Sequence, residues 1–183
     1  MVRWMTPLII VTIVSACSAQ DRLLIEGFSS VHAWTGVELS DEVARAGATS
    51  ALWRNHPENT SVFSDEIPHD WTGWNAFTFW VYNEREVDTA FMCIITSENP
   101  ETEGPDYWSV RVPLNFTGWK MFGTMIRGNS GTRSPRGWDQ VDSIRFTASG
   151  WDNEPHPEAV VHIDRLELRN DIGGTGPLLT DEE

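Results

Sequence analysis

The side chains that can act as acids or bases are spread along the chain. They comprise five histidines and two tyrosines: His32, His56, His69, His156, His162, Tyr82 and Tyr107. The zinc-binding spacing His-Glu-x-x-His is absent, and so is the Gly-x-Ser-x-Gly of serine hydrolases. Acid–base catalysis needs an acid and a base placed together. The distribution therefore predicts a protein that is not an enzyme.

Paired carboxylates are a second chemical possibility. Asp65 and Glu66 are adjacent, and Asp152 and Glu154 are two positions apart. A glycosidase needs two carboxyl groups about 5 to 10 Å apart across a cleft. Because the chain has 27 acidic residues, closeness in sequence is weak evidence for such a pair.

Tryptophan is unusually frequent, with 10 in 183 residues. Trp34, Trp108 and Trp151 lie in or next to predicted loops, with Asp152 after Trp151 and Arg54 after Trp53. Flat indole rings stack on the apolar faces of sugars, while charged side chains bond the sugar hydroxyls. These five residues are the predicted ligand-binding set. Plain packing is the open alternative for Trp34 and Trp151.

Short apolar segments separated by Gly, Pro, Asn and Asp run from Asp21 to about Leu168. In SVRVPLNF, apolar and polar residues alternate as in a strand with one buried face. NAFTFWVYN and FMCIIT are apolar on both faces, which is typical of central strands. In VVHIDRLEL the alternation changes phase, and a β-bulge near Asp164 explains the change. The pattern predicts one all-β sandwich over residues 21–169.

A five-residue corner occurs twice, as DWTGW at 70–74 and NFTGW at 115–119. Asp and Asn side chains accept hydrogen bonds from the backbone ahead of them, and glycine adopts angles that a Cβ penalises. Both corners are therefore expected to lead into strands. The residues that end the corners, Trp74 and Trp119, are predicted to close the ends of the sandwich as core residues.

The two termini have their own patterns. Residues 1–19 carry Arg3 and an apolar run from Pro7 to Ala16, which is typical of a secretory signal peptide and too short for a membrane-spanning helix. VSAC at 14–17 resembles a bacterial lipobox, in which Cys17 is lipidated; cleavage after Ala19 is the alternative. We expect a secreted or envelope protein, held at a membrane only through that lipid. Residues 170–183 are predicted to be a flexible tail.

The formal net charge is −14 at pH 7. A surface of this sign repels phosphate groups, so nucleic acid and anionic membranes are not predicted partners. Heavily anionic polymers are disfavoured for the same reason. The expected polysaccharide or oligosaccharide is neutral or weakly charged.

Six segments cover most of residues 22–168: LIEGFSS, AGATSALWRN, DWTGWNAFTFWVYN, NFTGWKMF, GWDQVDSIRFTASGW and VVHIDRLEL. Together they resemble the galactose-binding-like jelly rolls found as carbohydrate-binding modules and as β-sandwich modules attached to heparinase II/III-type polysaccharide lyases. The resemblance implies a two-sheet antiparallel jelly-roll β-sandwich. It also implies a secreted, non-catalytic carbohydrate-binding protein.

The resemblance further implies a structural calcium. Modules of this kind hold the ion between the first and last strands, with an acid after the first strand and the Asp of a closing Ile-Asp pair. In this sequence those positions are Glu26 and Asp164. Calcium takes about six to eight oxygen ligands, of which these would supply some. The alternative is that Asp164 caps the predicted bulge.

Two other functions remain open. A structural or adhesive surface lipoprotein, whose Trp-rich loops contact another protein, explains the anchor equally well. A polysaccharide lyase or glycosidase is the second alternative. A groove of sugar width lined by the loop tryptophans favours glycan binding, whereas a flat patch favours protein assembly.

Overall fold

The computed structural model describes residues 21–174, which contain ten β-strands and no helix. The strands are β1 (Arg22–Glu26), β2 (Glu38–Ser40), β3 (Ser50–Trp53), β4 (Ser61–Ser64), β5 (Ala76–Asn83), β6 (Ala90–Thr96), β7 (Tyr107–Pro113), β8 (Gly118–Met125), β9 (Ser143–Thr147) and β10 (Val161–Arg169). Residues 21–174 also include no helix with the length and hydropathy that crossing a bilayer requires. The predicted signal peptide, Cys17 and residues 175–183 lie outside the described residues.

The strands form two antiparallel sheets. Sheet A has the order β2-β3-β10-β5-β8, and β1 also pairs with β10. Sheet B has the order β4-β9-β6-β7. Within sheet A, β3 pairs with the first part of β10 and β1 with its last part, while β5 runs along the opposite edge. The predicted all-β, two-sheet antiparallel jelly-roll sandwich is confirmed.

A bulge interrupts β10 where the sequence predicts one. The pairing of β10 with β5 shifts register between Asp164 and Glu167, and Arg165 has a φ of 49°. The bulge inserts an extra residue, so Val161 and Ile163 before it and Leu166 after it all face the core. His162 and Asp164 consequently lie on the outer face of sheet A.

The core lies between the two sheets and is rich in aromatic rings. Phe79 of β5 and Phe91 of β6 both contact Phe146 of β9, Phe77 packs on Phe79, and all four are fully buried. The rings of Phe79 and Phe146 join the sheets edge to face with centroids 5.2 Å apart. Burial of each such side chain contributes about 1.5 to 3 kcal/mol to folding. This packing fixes how the two sheets face each other.

In both copies of the repeated corner, the second residue is the core residue. Trp71 is fully buried, lies 5.1 Å from Phe77 and 5.8 Å from Trp138 between ring centroids, and donates from Nε1 to the Pro68 carbonyl at 2.6 Å. Phe116 has the same position in the second copy and is also buried.

The fifth residues of the two corners differ. Trp74 is half-buried against the core, as predicted. Trp119 instead lies on the outer face of sheet A, with its ring 5.4 Å from that of Tyr82. The reason is strand alternation: Phe122 of β8 faces the core, so Trp119, three positions earlier, faces out. The prediction of Trp119 as a core plug was wrong.

The first two residues of the predicted tail are hydrogen-bonded to residues at the end of sheet A. The Asn170 N–H donates to the Asp21 carbonyl at 2.8 Å. Asp171 accepts hydrogen bonds from Arg169 at 2.8 Å and from Arg22 at 2.6 Å. These arginines lower the pKa of Asp171 below its usual value. The ordered chain therefore extends past residue 169.

We expect Trp71→Ala to lower the free energy of unfolding by about 3 to 5 kcal/mol, because a fully buried indole leaves a cavity. Trp119→Ala is the matched control and should cost clearly less, since its ring is half-buried on an outer face. Urea denaturation of both variants measures the difference. A larger loss of unfolding free energy for Trp119→Ala than for Trp71→Ala would contradict the placement of Trp71 in the core and Trp119 on the outer face.

One buried histidine should make stability depend on pH. The His56 ring stacks on Trp53 at 4.1 Å between centroids, and its Nε2 has no hydrogen-bond partner within the described chain. Burial lowers the pKa of His56 from 6.5 to about 4, with a smaller lowering from His156 and an opposing hydrogen bond at Trp53. The neutral ring is thus the form that the fold accommodates.

The unfolded chain takes up a proton on His56 near pH 6.5, whereas the folded protein does so only near pH 4. The contribution of neutral His56 to the free energy of unfolding is therefore complete above pH 6.5 and is lost as the pH falls towards 4. The difference corresponds to about 3 kcal/mol. His56→Phe keeps a ring on Trp53 and cannot titrate. We expect its stability to fall less than that of the wild type over this range, and identical profiles would contradict the prediction.

Candidate functional site

The outer face of sheet B carries a groove. Alternation along the strands directs Phe63 of β4, Arg145 of β9, Ile94 of β6 and Tyr107 of β7 away from the core. These residues line a groove of about 490 Å³. Its floor is apolar, because Ile94 and Tyr107 pack with Met92 in a small cluster separate from the main core. The size lies within the range of small-molecule sites.

Trp151 forms one wall of this groove. It lies in the loop between β9 and β10, and 46% of it is exposed. Its Nε1 donates to the Tyr107 hydroxyl at 3.1 Å, and the two rings meet nearly at right angles, at 89° with centroids 5.7 Å apart. The hydrogen bond and the edge-to-face contact hold the indole in one orientation.

The backbone at Trp151 adopts a conformation that bulky residues rarely take. Gly150, Trp151 and Asp152 have consecutive positive φ values of 88°, 53° and 61°. Asn153 closes the turn by donating from its backbone N–H to the Gly150 carbonyl at 2.9 Å. A left-handed conformation costs about 1 to 3 kcal/mol for a residue with a side chain. The loop is therefore strained at the residue that it exposes.

Charged side chains stand at the rim. Asp65, Glu98, Asp142 and Arg145 line the groove, and the Arg145 guanidinium lies 5.3 Å from the Phe63 ring centroid. Arg136 pairs with Asp142 at 2.7 Å, so three acids against two arginines leave a small excess of negative charge, which disfavours anionic ligands.

The loop between β6 and β7 closes one end of the groove and is anchored by Asp106. Its carboxylate accepts hydrogen bonds from the Thr102 hydroxyl and from the Ser134 N–H, the latter at 2.8 Å. These bonds lower the pKa of Asp106. The anchor lies next to Tyr107 and keeps that ring beside Trp151.

Trp34 does not belong to the groove. It is 6% exposed and lies between Phe28 and Phe146, with centroids 5.5 and 6.2 Å away. Its Nε1 donates to Glu26 Oε2 at 3.1 Å, while Glu26 Oε1 accepts the N–H groups of Gly27 and Phe28. The packing alternative is correct for Trp34, because Phe28 and Phe146 enclose the ring.

Three other predicted ligand residues also lie elsewhere. Trp108 is 3% exposed and stacks on Trp138 at 3.7 Å, so it is a core residue rather than a platform. Arg54 is exposed near the edge of sheet A and pairs with Glu38 at 2.7 Å. Asp152 lines a separate depression beside the 153–157 segment. Of the five predicted ligand residues, only Trp151 lines the groove.

The carboxylate of Asp164 is occupied by N–H donors. Its Oδ2 accepts from Arg45 at 2.8 Å and from Ala46 at 3.0 Å, and its Oδ1 accepts from Arg165 at 2.7 Å. Burial raises the pKa of Asp164, and these hydrogen bonds partly offset that effect. The contacts match the bulge-capping alternative. The N–H groups on Asp164 and Glu26 compete for the carboxylate oxygens that a shared calcium ion would use.

The sequence did not single out Ile94, Phe63 or Arg145 as site residues. In SIRFTAS the alternation does place Arg145 outwards. Alternation does not tell which of the two outer faces remains open, since that depends on where the loops lie. The sequence therefore indicated which way these side chains point, but it did not indicate that the outer face of sheet B is the exposed one.

The architecture is that of carbohydrate-binding modules. A family 11 carbohydrate-binding module from Clostridium thermocellum, in complex with a β-1,3-1,4-mixed-linked tetrasaccharide, is similar with a TM-score of 0.55 and 16% identity, over 83% of this chain and 97% of that chain. The agarase AgWH50C is similar with a TM-score of 0.54 and 14% identity, over 82% of this chain and 24% of that chain. At these identities the likeness establishes the fold.

The family follows from the sequence. The chain belongs to the family described as Lyase, N terminal, whose model matches residues 18–175. Comparison with curated proteins gives no match. The resemblance to jelly-roll carbohydrate-binding modules is confirmed.

Thermal melting can test whether Glu26 and Asp164 hold calcium. We expect metal-free protein to melt at the same temperature with and without added calcium, because N–H donors already satisfy both carboxylates. Magnesium at equal ionic strength controls for general salt effects. A rise in melting temperature that grows with calcium concentration would restore the site, since binding to the folded state stabilises it.

Proposed function

We propose that this protein binds a polysaccharide chain, without cleaving it, in the groove on the outer face of sheet B. The observation that carries the proposal is Trp151, whose indole is exposed by a strained backbone and held by Tyr107. Strain of this kind persists where the surrounding structure enforces it, and it is concentrated at ligand sites.

The groove has the chemistry that a sugar needs. The flat face of Trp151 can stack on the apolar face of a sugar ring, with Ile94 of the floor beneath it. Thr96 and Ser143 offer hydroxyls, and Arg145 offers a planar set of donors at the rim. An apolar surface with a few polar groups is typical of ligand sites.

Charge selects among glycans. The groove rim has three acids against two arginines, counting Arg136 on Asp142, and the whole chain has a net charge of −14. A neutral chain therefore meets no electrostatic opposition, whereas sulfated or uronate-rich chains are repelled. The mixed-linked tetrasaccharide in the similar family 11 module supports a glycan ligand of neutral type.

The same groove argues against cleavage. Among the described residues that line it are one tyrosine and no histidine, so a His–Tyr acid–base pair is missing there. The Asp142 carboxylate is already engaged by protein donors, accepting hydrogen bonds from the Glu98 N–H at 2.6 Å and from Arg136 at 2.7 Å. The proposed role is binding alone.

The proposal includes export. The signal-like pattern of residues 1–19 supports secretion or residence in the cell envelope, and VSAC supports a lipid anchor at Cys17. A carbohydrate-binding domain tethered in this way would meet extracellular polysaccharide at the cell surface.

Trp151→Ala should weaken glycan binding by about 30-fold or more, because a central aromatic platform contributes about 2 kcal/mol. Calorimetric titration with mixed-linkage β-glucan and agarose, with alginate as the anionic comparison, provides the measurement. Asp152→Asn is the matched control: its backbone has the same left-handed conformation but its side chain lies outside the groove, so binding should persist.

The melting temperature of Trp151→Ala should stay near that of the wild type, since nearly half of the residue is exposed and its ring lies outside the main core. Unchanged glycan affinity in Trp151→Ala would contradict the proposed site. If none of the neutral glycans binds the wild type while the chain self-associates in sedimentation, the assembly alternative is favoured. Appearance of reducing ends or of unsaturated sugar products would favour an enzyme.

A further inference from the structure

A histidine on the outer face of sheet A is buried beside two carboxylates. His162 of β10 is 1% exposed, although Val161 and Ile163 on either side face the core. Its Nε2 lies 3.5 Å from Glu84 Oε1, and Glu42 belongs to the same cluster. The ligand atoms of the three residues all lie within 4.8 Å of one another. This cluster is separate from the groove on sheet B.

The hydrogen bonds of Ser50 determine which ring nitrogen carries the proton. The Ser50 hydroxyl donates to the Val43 carbonyl at 2.6 Å, because a carbonyl can only accept. With its single hydrogen used, Ser50 Oγ must accept at its 3.1 Å contact with His162 Nδ1. Nδ1 is therefore protonated, and in the neutral ring Nε2 presents a lone pair.

This lone pair faces negative charge. Nε2 points at Glu84 at a distance beyond a good hydrogen bond, and two carboxylates facing a bare nitrogen repel it. A cation between the three groups would convert this repulsion into attraction.

We propose that Glu42, Glu84 and His162 form a binding site for a divalent transition-metal ion of the zinc type. An imidazole nitrogen with two carboxylate oxygens is a ligand set that zinc accepts. The Val43–Ser50–His162 chain is the kind of outer hydrogen bonding that fixes the ring of a metal-binding histidine. Calcium and magnesium prefer oxygen ligands only, so the site discriminates against them.

The ion would connect segments that are far apart in the sequence. Glu42 lies in the segment between β2 and β3, Glu84 follows β5, and His162 is on β10. Because Asp164 also holds Arg45 and Ala46 of the first segment through their N–H groups, a metal at Glu42 would fix that segment at a second point. Occupancy would thus stabilise the folded state by mass action.

The test uses metal-free full-length chain, titrated with Zn²⁺ by calorimetry and with Co²⁺ by visible absorption. We expect one zinc bound at this site and a higher melting temperature in zinc. Glu84→Gln and Glu42→Gln should each weaken that binding by at least about tenfold. Both residues are exposed, so the variants should fold normally, and Glu86→Gln is the matched control in the same loop.

Ser50→Ala tests the positioning of the ring. It leaves all three ligands in place and should weaken zinc by about 10- to 100-fold and change the Co²⁺ spectrum. Equal zinc affinity in the wild type, Glu42→Gln and Glu84→Gln would overturn the site and assign any bound zinc to other groups. A wild type that prefers calcium to zinc would also overturn it. Glycan binding in the sheet B groove is independent of either outcome.

Discussion

Aromatic packing between the two sheets is the interaction on which the rest of the structure depends. Phe79 of β5 meets Phe146 of β9 edge to face, and Trp34 packs on the same Phe146. Trp71 and Trp108 flank Trp138 at 5.8 and 3.7 Å and extend the packing. Since aromatic rings bury large areas and pair with preferred geometry, they set the sheet spacing and orientation. This packing leaves the outer face of sheet B uncovered at its centre.

The groove follows from this arrangement together with one strained loop. With the inward positions of β6, β7 and β9 filled by core residues, the outward positions Ile94, Tyr107 and Arg145 form a continuous surface. A flat sheet face alone binds weakly because it encloses little of a ligand. The left-handed turn at Gly150 and Trp151 raises an indole above that surface and makes it concave. The strain of the turn and the exposure of the indole are thus two aspects of one feature.

The sequence was sufficient for the fold and insufficient for the site. Alternation and its break in VVHIDRLEL located the strands and the bulge at Asp164, because both are local consequences of the two-residue period. Whether a tryptophan is buried depends on which strands and loops cover it, and that is a long-range property. Trp34, next to a predicted loop, is enclosed by Phe28 and Phe146, whereas Trp151, in a similar context, is exposed. Local sequence could not separate the two.

The bulge in β10 has a consequence for charge as well as for packing. Without the extra residue, a strict alternation would place Leu166 and Leu168 on the same face as His162 and Asp164. Either the leucines would then face outwards or the two titratable residues would face the core. With it, four apolar residues face the core and both titratable groups face outwards, where a covering segment and not solvent surrounds them. Polar groups that are buried on an outer face need hydrogen-bond or ionic partners in the segment that covers them.

Asp164 accepts hydrogen bonds from backbone N–H groups. His162 contacts Ser50 through one ring nitrogen and lies near two carboxylates through the other. His162 Nε2 is the least satisfied polar atom among these groups. The proposed cation would give this nitrogen a partner.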